Sequence, residues 1–249
     1  MSDSVLIHQY ARPPIIEALV QMQFAEPLDD ARYVKLLKKL TKSYDNDLAL
    51  ETVGANIDFQ NRTSNFHAFP QRRLSSSDET DIMVVDAGKL TWSRLPPYVG
   101  WDEFLRRVKR DANAAHSVVG FRKLQQLGVR YVNRIDIPVS NPTPDAVVRY
   151  EDYLTINLSL PTQWEAVNSY AWRFERRFVD LGLLAVVQSA VVAPEIPNHA
   201  AFLLDIDVIA QNQLPVKLDD VYDKLEEMRN LKNKIFEVSI TDVARGSFT

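Results

Sequence analysis

The sequence predicts an α+β protein of mainly antiparallel sheet elements, each covered by a long amphipathic helix. Two observations carry this. Long segments alternate apolar and polar residues with period two, and three segments repeat apolar residues at helical spacing. A turn signal at Ala87-Gly88-Lys89, between two short alternating runs, adds the hairpin chemistry expected of antiparallel pairing.

In the first strand Ile16, Ala18, Val20, Met22 and Phe24 alternate with Glu17, Gln21 and Gln23, so the even positions face a core. Asp29 or Asp30 then caps a helix with Tyr33, Leu36, Leu37, Leu40 and Tyr44 on one side and Lys35, Lys38, Lys39 and Lys42 on the other. From Val53 to Pro96 the pattern predicts two hairpins, with the polar, serine-rich stretch Gln71 to Asp81 as an exposed loop.

A second helix is expected from Trp101 to about His116, burying Phe104, Leu105, Val108, Ala112 and Ala115 and turning Arg106, Arg107, Lys109 and Arg110 to solvent. After Gly128, the residues Val129, Tyr131, Ile135 and Ile137 oppose Arg130, Arg134 and Asp136, which leaves Asn133 as the polar residue on the apolar side. Pro138, Pro142 and Pro144 break both helix and strand. They set an expected boundary between halves 1–138 and 139–249, which could still share one continuous domain.

Four strands are expected beyond it, around Leu154 to Leu160, Trp172 to Phe178, Leu184 to Val192 and Leu204 to Val208. A last helix opens at Leu218-Asp219-Asp220 with Val221, Leu225, Met228, Leu231 and Ile235 as its stripe. The first helix starts with the same Leu28-Asp29-Asp30, so the two halves are candidates for a pseudo-repeat of one strand and helix unit; coincidence of a short match is the competing account.

With 46% hydrophobic and 25% charged residues the chain has globular composition, which excludes disordered and fibrous classes. The net charge of -4 argues against global attraction to nucleic acid or anionic membrane and leaves local basic patches open. Cysteine is absent, which removes disulfides, thiolate nucleophiles and cysteine metal sites. The first ten residues lack the basic and apolar pattern of a secretory signal, and the Leu181 to Ala193 stretch is too short to span a bilayer. The expectation is a cytoplasmic protein without membrane partners. Asn61-Arg62-Thr63 and Asn157-Leu158-Ser159 match the glycosylation pattern but say nothing without export.

Asp205 and Asp207, two apart on a strand, project from one face. With an outlying Glu17 they could hold Mg in a metal-dependent nuclease or phosphoryl-transfer enzyme. The competing account pairs them with arginines on a neighbouring strand, such as Arg130, Arg134, Arg173 or Arg177. Arg130, Asn133, Arg134 and Asp136 form a polar cluster suited to bidentate capture of an anion, or equally a cross-strand ion-pair ladder. Arg12-Pro13-Pro14 sets an extended entry into the first strand and could also dock a partner.

Arg72-Arg73, Arg106 to Arg110 and Arg173, Arg176, Arg177 could contact phosphates, with Trp172 or Phe66 stacking on bases; charge on a helix is otherwise its solvated face. His8, His67, His116 and His199 lack metal spacing, and neither a nucleophile elbow nor a phosphate loop is present. No catalytic residue, metal or cofactor is therefore assigned outside the nuclease alternative.

Three stretches carry a resemblance: Tyr10-Ala11-Arg12-Pro13-Pro14-Ile15-Ile16-Glu17, the run Gly128 to Pro138, and Phe236 to Asp242. On them the chain resembles an uncharacterised, sporadically distributed family of bacterial proteins of about this length. The resemblance implies one organisation over nearly the whole chain and supplies no catalytic residues. Its patchy distribution implies a bacterial conflict system, toxin–antitoxin or antiphage. The expected function is a non-enzymatic interaction or regulatory protein with a protein partner. The alternatives are the nuclease, which brings in nucleic acid, and a small-anion or nucleotide sensor built around Arg130 or Arg134.

Overall fold

In a computed structural model, residues 8–58, 63–139, 150–156 and 169–249 are described, with side chains described outside 51–69. Nine strands and four helices follow in chain order: β1 (Ile15–Phe24), α1 (Asp30–Leu40), β2 (Asn46–Asp58), β3 (Thr63–Ser75), β4 (Asp81–Val85), β5 (Lys89–Arg94), α2 (Trp101–Val119), β6 (Leu124–Pro138), β7 (Ala171–Phe178), β8 (Leu183–Val192), β9 (His199–Ala210), α3 (Leu218–Ser239) and α4 (Asp242–Gly246). The strands form one antiparallel sheet in the order β2-β3-β4-β5-β1-β6-β9-β8-β7. The α+β class holds.

The chain divides into a middle unit, Leu19–Leu127 with Leu214–Tyr222, and a terminal unit, Met1–Ala18 with Gly128–Gln213 and Asp223–Thr249. The chain passes between these units at 18/19, 127/128, 213/214 and 222/223, and β1, β6 and α3 are each divided.

In the middle unit, β1 buries Val20, Met22 and Phe24 as its alternation requires, and Ala18 continues the pattern into the terminal unit. Asp29 caps α1 by accepting from the Arg32 amide at 2.8 Å, and Leu36 and Leu40 are fully buried. Gly100 (φ 101) and Gly120 (φ 70) bracket α2 in left-handed conformations that disfavour any residue with a Cβ. The expected loop Gln71 to Asp81 is shorter than anticipated: β3 continues to Ser75, where Leu74 and Ser75 pair with Met83 and Ile82 and are buried. Polarity misled there, because backbone pairing tolerates polar side chains on an exposed face.

The expectation that all α2 cations face solvent is corrected at Arg107, which is buried. Its guanidinium donates to the Ser93 carbonyl at 2.6 Å and the Ile82 carbonyl at 3.1 Å and pairs with Asp81 at 3.2 Å. Beside it Asp111, fully buried, accepts from Tyr44 Oη at 2.6 Å, Trp92 Nε1 at 3.1 Å and Arg110 Nε at 2.8 Å. Burial, reinforced by the Asp111 carboxylate, holds the Tyr44 phenol well above its ordinary range. This network ties α2 to β4 and β5 and gives the Asp111 carboxylate and the Arg107 Nη groups buried partners, while Arg107 Nε faces Asp81 without a hydrogen bond.

In the terminal unit, β6 and β9 alternate as expected: Val129, Tyr131, Asn133, Ile135 and Ile137 are buried on one side of β6, and Leu204, Ile206 and Val208 on β9. On α3 the expected stripe holds at Val221, Leu225, Met228 and Leu231. Its continuation is Lys232, Phe236, Glu237 and Ser239, with Ile235 only half-buried. Leu154 forms an isolated bridge with Ile240. The expected strand positions from Asn157 to Leu160, with Ser159, lie outside the described residues, as do Pro142, Pro144, Asn61 and Arg62.

Candidate functional site

The terminal unit gathers the ionic side chains singled out in the sequence onto the sheet face opposite Tyr131 and Leu204. Strand alternation places Arg130, Arg134 and Asp136 of β6 and Asp205 and Asp207 of β9 there, and Gln188 of β8 stands opposite Asp205 in register. Arg130 grips Asp205 in a bidentate pair, Nε to Oδ1 at 2.9 Å and Nη2 to Oδ2 at 2.6 Å, while Gln188 Nε2 donates to Oδ2 at 3.4 Å. The Asp205 side chain is 11% exposed and that of Arg130 is 44% exposed, so the carboxylate is sunk and the guanidinium is fixed at the surface. The pair raises the Arg130 pKa, chiefly through the Asp205 hydrogen bond.

Asp207 lies beside this pair without an ion pair of its own among the described residues. Burial pushes its carboxyl up to about 6; Arg130 opposes the shift and Asp205 adds to it. Glu17 contributes to the field at Arg130. Among the described residues no group of three or more His, Asp or Glu side chains converges in a way that could hold a metal ion, so Asp205, Asp207 and Glu17 are not brought together as one.

The remaining expected residues have intramolecular partners. Arg134 donates Nε to both Asp136 oxygens at 3.1 and 3.2 Å, Nη1 to Glu195 at 2.9 Å and Nη2 to the Ala193 carbonyl at 3.0 Å. Asn133 lies on the other side of β6, buried, and donates Nδ2 to the Leu204 carbonyl at 2.9 Å. The cluster read from the sequence is thus two sets on opposite faces. Arg12 meets the end of the chain: its amide donates to the Phe248 carbonyl at 3.0 Å and its Nη2 to the Thr249 carbonyl at 2.8 Å.

A second cluster was not read from the sequence as a site. Glu237 of α3 is buried and accepts from Tyr10 Oη at 3.0 Å on each oxygen, from the His8 amide at 3.2 Å and from Arg245 Nε at 3.2 Å. Arg245 also donates to the Glu237 carbonyl and to Asp242. Tyr10 packs edge-on against Phe236 and Phe248, and burial with the Glu237 carboxylate pushes its phenol up to about 12. A cleft of about 500 Å³ opens here, lined by His8, Thr155, Glu237, Thr241, Asp242 and Arg245 among others. The two terminal stretches that carried the family resemblance are the ones that meet at this point. Lys232, one turn before Phe236, is buried with its ammonium 3.7 Å from the Tyr131 ring centre; burial, with Arg229 nearby, lowers its pKa to about 7.

No family model matches the chain, and no curated protein is significantly similar to it.

Proposed function

We propose that this chain is a non-enzymatic interaction or regulatory protein that grips a protein partner with the polar sheet face around Arg130. The observation that supports this reading is the Arg130–Asp205 pair: a half-exposed guanidinium held rigid by a sunken carboxylate, with Asp207 beside it in no ion pair of its own among the described residues. A preorganised polar surface of this kind binds with little ordering cost, and a cation from the partner would complete the pairing at Asp207. The bidentate engagement of Asp205 also weighs against the nuclease alternative, which needs that carboxylate for a metal.

We propose that the protein acts in the cytoplasm, as a component of a bacterial toxin–antitoxin or antiphage system, on the strength of the family resemblance. No helix of the described residues is long and apolar enough to cross a membrane. We also read β1 with α1 and β9 with α3, each a long strand leading into a helix opened at Leu-Asp-Asp, as copies of one ancestral unit.

The test is native capture of the tagged protein from its own host, run beside Arg130→Glu and Asp207→Lys. A near-stoichiometric partner that both variants lose, with their folds intact by circular dichroism, supports the reading. Magnesium- or manganese-dependent turnover of nucleic acid that Asp205→Asn and Asp207→Asn abolish would replace it with the nuclease. Turnover apart, a partner held equally by both variants places the interface elsewhere.

A further inference from the structure

We propose that β7, the last strand of the sheet order, is a stacking platform for single-stranded nucleic acid. This is independent of the Arg130 face: it uses a different strand and a different partner. Unlike the buried β8 and β9, β7 is exposed along almost its whole length, with only Trp172 and Phe178 half-buried.

Alternation puts Trp172, Phe174, Arg176 and Phe178 on one side of β7, opposite Ser189, Val187, Ala185 and Leu183 of β8 in register. On that side Trp172 and Phe174 are stacked nearly parallel, centroids 5.2 Å apart and planes 15° apart. The Arg176 guanidinium lies 4.9 Å from the centre of the Phe178 ring. Phe174 is 39% exposed, unusual for a residue of its size in a sheet. Arg173 and Arg177 project from the other side with Glu175, and Arg173 pairs with Glu175 at 2.5 Å.

Three arginines against one glutamate give the strand a local charge of +2 in a chain whose net charge is -4, which favours a polyanion over a cation at this strand. The repeat matches the ligand. Side chains on one side of a strand recur about every 7 Å, so the outer faces of the stacked Trp172–Phe174 pair take bases while Arg176, on the same side, reaches a phosphate. An acidic peptide would satisfy the arginines and leave the stacked rings without a counterpart. Base stacking is sequence-tolerant because every base has a π face, so the preference is for single strands rather than for a sequence.

The experiment is fluorescence anisotropy of labelled dT15 and rU15 with the intact protein across a salt series. The expected result is binding whose log–log salt slope is about -0.7, from the one phosphate neutralised by Arg176 on a single strand. Trp172→Leu and Arg176→Glu should each weaken it about tenfold or more, whereas Arg106→Glu, a cation on the exposed side of α2, should leave it unchanged. Double-stranded DNA should compete poorly. Absence of binding at low salt, or binding indifferent to Trp172→Leu and Arg176→Glu, overturns the proposal. Equal displacement by polyglutamate also overturns it, since a general anion surface would then suffice. Loss of the captured protein partner leaves this result untouched, so the two readings fail separately.

Discussion

Tyr10 and Glu237 stand 227 positions apart in the chain, yet the Tyr10 hydroxyl lies 3.0 Å from both carboxylate oxygens of Glu237. Arg245 and the His8 amide complete the same carboxylate, and Arg12 reaches the Phe248 and Thr249 carbonyls close by. The segment entering β1 is therefore tied to the end of α3 and to α4.

If this junction holds the terminal unit together, Glu237→Ala should destabilise the protein by about 2–3 kcal/mol, because it takes the carboxylate from the Tyr10 hydroxyl, the His8 amide and Arg245 Nε. Tyr10→Phe should cost about 1 kcal/mol. Urea denaturation measures both. A double variant that costs no more than Glu237→Ala alone would confirm that Tyr10 acts through that carboxylate.

Arg106 and Arg107 are neighbours on α2 with opposite fates. Arg106 is 70% exposed and pairs with Glu103 across one turn, whereas Arg107 is buried on the β4 and β5 backbone. Arg106→Ala should change stability by no more than about 0.5 kcal/mol. Arg107→Ala and Asp111→Ala should each cost about 3 kcal/mol, since each leaves several buried partners unpaired. Thermal melts of the three variants give the ranking directly, and an Arg106 effect as large as that of Arg107 would contradict it.

Asp207 and Lys232 should tilt the pH dependence of stability in opposite directions. Folding raises the Asp207 pKa from its ordinary 3.8 to about 6, so between these values the folded state holds the extra proton and stability falls as pH rises. Folding lowers the Lys232 pKa from 10.5 to about 7, so between those values the unfolded state holds the extra proton and stability rises with pH. Asp207→Asn should flatten the profile from pH 4 to 6 and stabilise at pH 7 by on the order of 2 kcal/mol. Lys232→Met should stabilise most at pH 6 and lose its advantage by pH 10. Chemical denaturation at fixed pH values reads both, and parallel slopes for wild type and variant would refute the assignment.

Local rules determined much of this protein from its residues alone. The period-two pattern of β1, β6 and β9, the helical stripes of α1, α2 and α3, the Asp29 cap and the turn at Gly88 depend on dihedral preferences and side-chain direction within a few residues. Even the choice of face was legible: Arg130 and Arg134 against Tyr131, Asp205 and Asp207 against Ile206.

Only the tertiary structure decided who meets whom. Asp205 took Arg130 rather than Arg134 or Arg173 because sheet order and register, not composition, set which strands are adjacent. Lys232 and Glu237 read as ordinary polar positions on a helix, and both are buried because α3 turns them onto Tyr131 and onto Tyr10 and Arg245. The interleaved units arise in the same way. A contact between segments two hundred residues apart leaves no periodic trace in either segment, so its energy becomes visible only when folding brings them together.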